Sequence, residues 1–125
     1  MVQRVYEGSG DSAANDFTLE ASDSVPGAAG IFYYGPATTQ VAFGDGFRCV
    51  GSAGMIGTFR LPPPVMADGG GQAQRSFDFI QPPANQGAGG VAPGVTWNFQ
   101  WWYRDPAAGG AKYNFSDAVE VGFCP

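Results

Sequence analysis

The residues best suited to contact a ligand lie in one aromatic stretch, TWNFQWWYRDP, which runs from Thr96 to Pro106. This stretch holds all three tryptophans of the chain. Successive side chains of a β-strand point to opposite faces, so the stretch has two different faces. One face is wholly aromatic and consists of Trp97, Phe99, Trp101 and Tyr103. The other face is mixed and consists of Asn98, Gln100, Trp102 and Arg104.

The two faces predict different roles. The aromatic face is expected to be core, because large exposed apolar patches are rare on soluble monomers. The mixed face suits carbohydrate, because sugar C–H groups stack on aromatic rings while amides bond to hydroxyls. Trp102 is expected to stack against Arg104 or against a side chain of another strand. The candidate ligand-binding residues are Trp102, Asn98, Gln100, Arg104, Tyr33 and Tyr34.

The chain contains no histidine, which excludes Ser-His-Asp and Cys-His catalysis and histidine metal sites. Its eleven carboxylates leave a glycosidase-like pair as an alternative. Most of them, however, lie beside Gly, Ser or Pro, where capping of turns explains their presence. We therefore predict no catalytic residue and no cofactor, with a carboxylate-dependent glycan-active enzyme as an alternative.

Loop residues with side-chain oxygen atoms are candidate ligands for a calcium ion. They are Asn15, Asp16, Asp45, Asn114, Ser116 and Asp117. They do not follow the spacing of a calcium-binding loop, and turn chemistry explains them. No metal site is predicted.

The only two cysteines are Cys49 and Cys124. Their spacing matches no zinc pattern. Because the chain is poor in lysine and rich in Gly, Thr, Ser and Asn, we expect an extracytoplasmic location and a disulfide between the two. Two buried free thiols are the alternative.

The charge balance excludes some partners. The net charge is −5, the pI is about 4.3, and the six basic residues are scattered. Nucleic acid and anionic membrane surfaces need clustered basic residues, so neither is an expected partner. No apolar run has the length of a membrane span. The N-terminal MVQRVYEGSG lacks the apolar region of a signal peptide, so a secreted form is expected to have lost its leader or to be a piece of a longer chain.

Alternating apolar and polar residues, with Gly and Pro between them, predict the fold. The segment DFTLEA places Leu19 and Ala21 on one face. VAFGDGFRCVG predicts a hairpin with its turn at Gly44-Asp45-Gly46, and GMIGTFRL a strand that ends at Pro62. Roughly eight to ten strands with turn signals every 8–12 residues are typical of a sandwich or barrel. The prediction is one all-β domain over residues 1–125, an antiparallel β-sandwich of jelly-roll or Ig-like type, with 1–8 as an N-terminal arm or a junction.

Seven blocks resemble, in order, the C-terminal domain of many large secreted proteins of environmental bacteria. They are NDFTLEA, GIFYYGP, FGDGFRCVG, RLPP, W-x-FQ-x-WYRDPA, NFSDAVEV and FCP. The resemblance covers the chain from about Ser9 to Pro125, with Ser52 and Ala118 where members usually carry Gly. It implies a β-rich module outside the cell and transfers no catalytic residue, because the family is uncharacterised.

The leading hypothesis is a non-catalytic module, secreted or at the cell surface, that binds polysaccharide or another cell-surface component. The alternative is a structural subunit that assembles into filaments or surface layers. Strands with few charges leave edges open to pairing, and the N-terminal VQRVY is a candidate to add a strand to a neighbouring molecule.

Overall fold

The computed structural model describes residues 3–7, 18–22, 25–43, 46–52, 57–78, 81–85, 87–91, 94–104, 113–116 and 119–122, with the backbone alone at 3–7, 43, 46, 113 and 114. These residues form ten β-strands, a single turn of 3-10 helix at Gly87–Gly89 and no α-helix. The strands are β1 (Gln3–Glu7), β2 (Thr18–Ser22), β3 (Ala29–Gly35), β4 (Ala37–Phe43), β5 (Gly46–Gly51), β6 (Phe59–Met66), β7 (Ala73–Ser76), β8 (Thr96–Arg104), β9 (Tyr113–Phe115) and β10 (Val119–Gly122). The all-β prediction is confirmed, and every strand pair is antiparallel.

The aromatic strand β8 is central to a five-stranded sheet. Four strands follow the order β10-β8-β3-β6, and the fifth, β9, also pairs with β8. β3 pairs with one edge of β8. The opposite edge is shared by β10 along the first half of β8 and by β9 along its second half. Ser116 lies where these two short strands meet, and its amide and hydroxyl both bond to the backbone of Trp101 at 2.8 Å.

A second sheet of three strands, β1-β2-β7, shares its core with the first. Leu19, Ala21 and Ala73 of this sheet belong to the same buried cluster as the aromatic face of β8. Two sheets that bury one set of side chains between them have the arrangement of a β-sandwich. The predicted core residues are confirmed, because the exposed fractions of Trp97, Phe99, Trp101 and Tyr103 are all 5% or less.

The β4–β5 hairpin covers the other face of the five-stranded sheet, which we call the outer face. Main-chain groups of β5 bond to Gln100 of β8. Gly35 allows this close approach, because a Cβ there would lie 2.5 Å from the Gly51 carbonyl oxygen and 3.0 Å from Val50. The hairpin holds Val50 fully buried against the sheet. The predicted hairpin is confirmed, although its turn at Gly44-Asp45 lies outside the described residues.

One boundary differs from the sequence prediction. The strand β6 does not end at Pro62 but continues through the prolines to Met66. β6 is an edge strand, where a residue without an N–H costs no ladder bond, and the pairing with β3 shifts register between Gly30 and Phe32. The prolines, all exposed, make this edge a poor template for strand addition by another molecule.

The N-terminal strand also lies inside the domain. Gln3–Glu7, expected to be part of an arm or junction, forms β1 and pairs with β2 of its own chain.

Candidate functional site

Strand register brings a compact set of side chains together on the outer face. Tyr33 of β3 lies directly between Arg60 of β6 and Gln100 of β8. In the next row, Trp102 of β8 is the partner of Phe115 of β9. Five residues from four strands thus become neighbours although they are far apart in sequence.

Four of these side chains, all except that of Gln100, help to line a pocket of about 150 Å³. Its lining residues are Tyr33, Arg48, Thr58, Arg60, Trp102 and Phe115. A cavity of about this volume accommodates a benzene ring in other proteins, so the pocket suits one six-membered ring. Solvent reaches it, since Thr58, Trp102 and Phe115 are half-buried and Arg60 is exposed.

The Trp102 ring has one aromatic and one cationic neighbour. The rings of Trp102 and Phe115 are nearly parallel, at 8° with 6.0 Å between their centroids. The guanidinium carbon of Arg60 lies 5.7 Å from the centroid of the Trp102 ring, a cation–π distance. The stacking partner is therefore a side chain of another strand and not Arg104.

Gln100 is fully buried beneath the pocket, and its amide is fully bonded. Its oxygen accepts from the Tyr33 hydroxyl at 2.5 Å and from the Cys49 amide at 2.9 Å. Its nitrogen donates to the carbonyls of Phe47 at 3.0 Å and Ser116 at 2.6 Å. An amide side chain offers two donors and an acceptor oxygen with two lone pairs, so Gln100 ties the hairpin to the sheet and has no capacity left for a ligand.

Tyr33 and Arg48 are fixed by this arrangement. Burial raises the pKa of the Tyr33 hydroxyl above its usual value, an effect that the neighbouring Arg48 partly opposes. The hydroxyl therefore stays protonated at neutral pH and donates to Gln100. Arg48 lies beside Tyr33, and its Nε donates to the Val50 carbonyl at 3.1 Å.

The structure brings only part of the predicted ligand set to the pocket. Trp102 and Tyr33 line it. Asn98 is buried, and its Nδ2 donates to the Gly35 carbonyl at 3.4 Å. Tyr34 faces the core, where its hydroxyl donates to the Gly89 carbonyl at 2.6 Å. Arg104 is exposed at the end of β8 and does not line the pocket.

Sequence reasoning missed four lining residues: Arg48, Thr58, Arg60 and Phe115. The two arginines carried a signal, since each interrupts an apolar run, FRCV and FRL, in a chain with only six basic residues. Thr58 and Phe115 carried none, because their place depends on strand order.

The predicted disulfide is corrected by the structure, in which Cys49 is a free thiol. Its amide lies against Gln100 at the centre of β8. The strand β10, by contrast, ends with Gly122 opposite Thr96, the first residue of β8. Four residues of a strand span about 13 Å, so the end of β10 does not approach Cys49. Cys124 itself lies outside the described residues.

Other ligand types find little support in the described part of the chain. No group of three or more His, Cys, Asp or Glu side chains there is placed to hold a metal ion. Of the loop residues considered for calcium, Asn15, Asp16, Asp45 and Asp117 lie outside the described residues. None of the residues found to line the pocket is a carboxylate.

Comparisons with protein-family models, curated proteins and solved structures find no match to this chain. Over the residues that the structure describes, no helix has the length and apolar character needed to cross a membrane.

Proposed function

We propose that this domain is a non-catalytic carbohydrate-binding module that acts outside the cell or at its surface. The observation that carries the proposal is the half-buried Trp102, whose ring lines a solvent-accessible pocket among polar side chains. Ligand sites typically combine apolar walls with a few convergent polar groups. Here Trp102 and Phe115 supply the apolar part and Tyr33, Thr58 and two arginines the polar part.

The size and rigidity of the pocket support one sugar ring as the bound unit. Its volume of about 150 Å³ is enough for one six-membered ring. The fixed hydroxyl of Tyr33 and the stacked ring of Trp102 keep the pocket formed without a ligand. A preformed site loses less side-chain entropy on binding.

The location rests on the lysine-poor composition and on the resemblance to domains of secreted bacterial proteins. The non-catalytic role rests on the absence of histidine from the chain and on the lack of a carboxylate among the pocket-lining residues found in the described segments.

Replacement of Trp102 by alanine is expected to lower the affinity for a retained polysaccharide at least tenfold. A tenfold lower affinity corresponds to a loss of about 1.4 kcal/mol of binding free energy, which is of the order of one aromatic stacking contact. Affinity electrophoresis and titration calorimetry, on polysaccharides first selected by a glycan array, measure the change. Near-UV circular dichroism checks that the variant is folded.

Phe47→Ala is the matched control. Phe47 is an aromatic residue of β5 in the β4–β5 hairpin, its side chain is 52% exposed, and it does not line the pocket. It should bind as the wild type does. The proposal fails if the folded wild type retains no glycan, or if W102A and F47A bind equally well.

A further inference from the structure

We propose that the sugar bound in this pocket carries a carboxylate, as the uronic acid residues of acidic polysaccharides do. This inference rests on the proposed function and names the class of sugar.

The distribution of positive charge carries the inference. The chain has a net charge of −5 and only six basic residues, yet two of these six, Arg48 and Arg60, line one pocket of about 150 Å³. Within the described part of the chain neither arginine is paired with a carboxylate, since their recorded contacts are to Tyr33, to the Val50 carbonyl and to the Trp102 ring. The pocket is thus a local positive site on an acidic protein.

The arginines also have donors left for a ligand. A guanidinium group carries five N–H donors, and the hydrogen bond of Arg48 to the Val50 carbonyl uses one of them. Arg60 is exposed, and its guanidinium carbon lies over the Trp102 ring, a cation–π contact and not a hydrogen bond to an acceptor atom. Arginine binds carboxylates through two parallel hydrogen bonds.

A uronic acid matches both halves of the pocket. Its pyranose ring presents C–H groups that stack on an aromatic ring such as Trp102. Its carboxylate lies at the edge of the same ring, within reach of a guanidinium beside that platform. A neutral sugar uses the platform but leaves the arginine donors to water.

The test compares two ligands that differ by one charge on each sugar residue. Short oligogalacturonates and their fully methyl-esterified counterparts have the same rings and linkages, but the ester has no negative charge. Short oligomers are preferred because a long polyanion is also repelled by the acidic remainder of the protein. Titration calorimetry at fixed ionic strength gives Kd for the wild type, which is expected to bind the acid at least tenfold more tightly than the ester.

The Arg60→Gln variant tests whether the preference for the acid over the ester arises in the pocket, and Arg104→Gln is the matched control. Both remove one exposed positive charge, but Arg104 does not line the pocket. R60Q is expected to weaken binding of the acid at least fivefold and of the ester less than twofold, while R104Q keeps the preference. W102A should weaken both ligands.

The outcomes separate the two proposals. Equal binding of acid and ester by the wild type, or retention of neutral glycans only, overturns the carboxylate assignment and leaves the carbohydrate proposal standing. An equal loss of preference in R60Q and R104Q shows a general charge effect and overturns the assignment to this pocket. Failure to bind any glycan overturns both proposals.

Discussion

Replacement of Gln100 by methionine is expected to lower the free energy of unfolding by about 4 kcal/mol. Methionine keeps the volume but removes the partners of the Tyr33 hydroxyl, the Cys49 amide, and the carbonyls of Phe47 and Ser116. An unsatisfied buried polar group costs about 1–3 kcal/mol. The groups of Tyr33 and Ser116 bear the full cost because they are buried, while those of Cys49 and Phe47 are only partly buried. Urea unfolding followed by circular dichroism measures the loss.

Gln74→Met is the matched control, since the Gln74 amide makes one exposed hydrogen bond to Glu20. Its effect should stay within about 0.5 kcal/mol, as is usual at the surface. If Q100M is as stable as Q74M, the buried amide does not hold the hairpin onto the sheet.

Gln100→Glu separates hydrogen bonding from shape. An ionised carboxyl at this position accepts bonds but has no donor for the carbonyls of Phe47 and Ser116, whereas the protonated form has one. The folded protein therefore favours the protonated form, which raises the pKa of the introduced group above its unfolded value of about 4.3. By linkage, the loss of stability relative to wild type is smallest below about pH 4 and grows as the pH rises through the raised pKa. A pH-independent loss contradicts the hydrogen-bonding account.

Replacement of Gly30 by alanine is expected to destabilise the domain by about 3 kcal/mol or more. A Cβ on Gly30 would lie 2.6 Å from two indole atoms of Trp101 and 2.7 Å from the carbonyl oxygen of Trp102. The Trp101 ring is fully buried between Phe32 and Tyr103, with centroids 5.9 and 4.9 Å away. The ring cannot move without displacing its neighbours, and overpacking of a core costs about 1–3 kcal/mol or more. Thermal and urea unfolding measure the change.

Gly69→Ala controls for the loss of backbone freedom alone. Gly69 lies in an exposed turn where a Cβ would meet nothing within 4 Å. This change should be neutral or stabilising by up to about 1 kcal/mol. A Gly30→Ala protein as stable as Gly69→Ala would show that the sheet and the tryptophan are not packed as closely as described.

The fold could be predicted from the sequence because burial of one face of each strand in a sandwich makes apolar side chains recur at every second residue. Leu19 and Ala21 in β2 and the aromatic face of β8 all alternate with less apolar residues, and all are buried. The proline run was misjudged because a strand that lies at a sheet edge tolerates missing donors, and edge position is a property of strand order. The proline run is compatible both with the end of a strand and with an edge strand, and the local sequence does not decide between them.

The site could be predicted only in part, since the mixed face of β8 is itself divided by the hairpin above it. Trp102 lies beyond the cover of β5 and lines the pocket. Asn98 and Gln100 lie under the cover and are buried. An amide in a strand has the same appearance in sequence whether it bonds a sugar hydroxyl or a buried carbonyl. Arg60 and Phe115 reach the pocket through the pairing of β6 with β3 and of β9 with β8, two contacts between distant segments.

The most direct test of the carbohydrate pocket follows the three indole N–H signals in ¹H–¹⁵N spectra while an array-selected oligosaccharide is added. Trp102→Phe assigns the Trp102 signal by its disappearance. Trp97 and Trp101 are buried in the core, at 4% and 0% exposure, whereas Trp102 lines the pocket. The account predicts a saturable shift of the Trp102 signal with little change in the other two. A saturable titration that leaves Trp102 unmoved while signals elsewhere shift would contradict it.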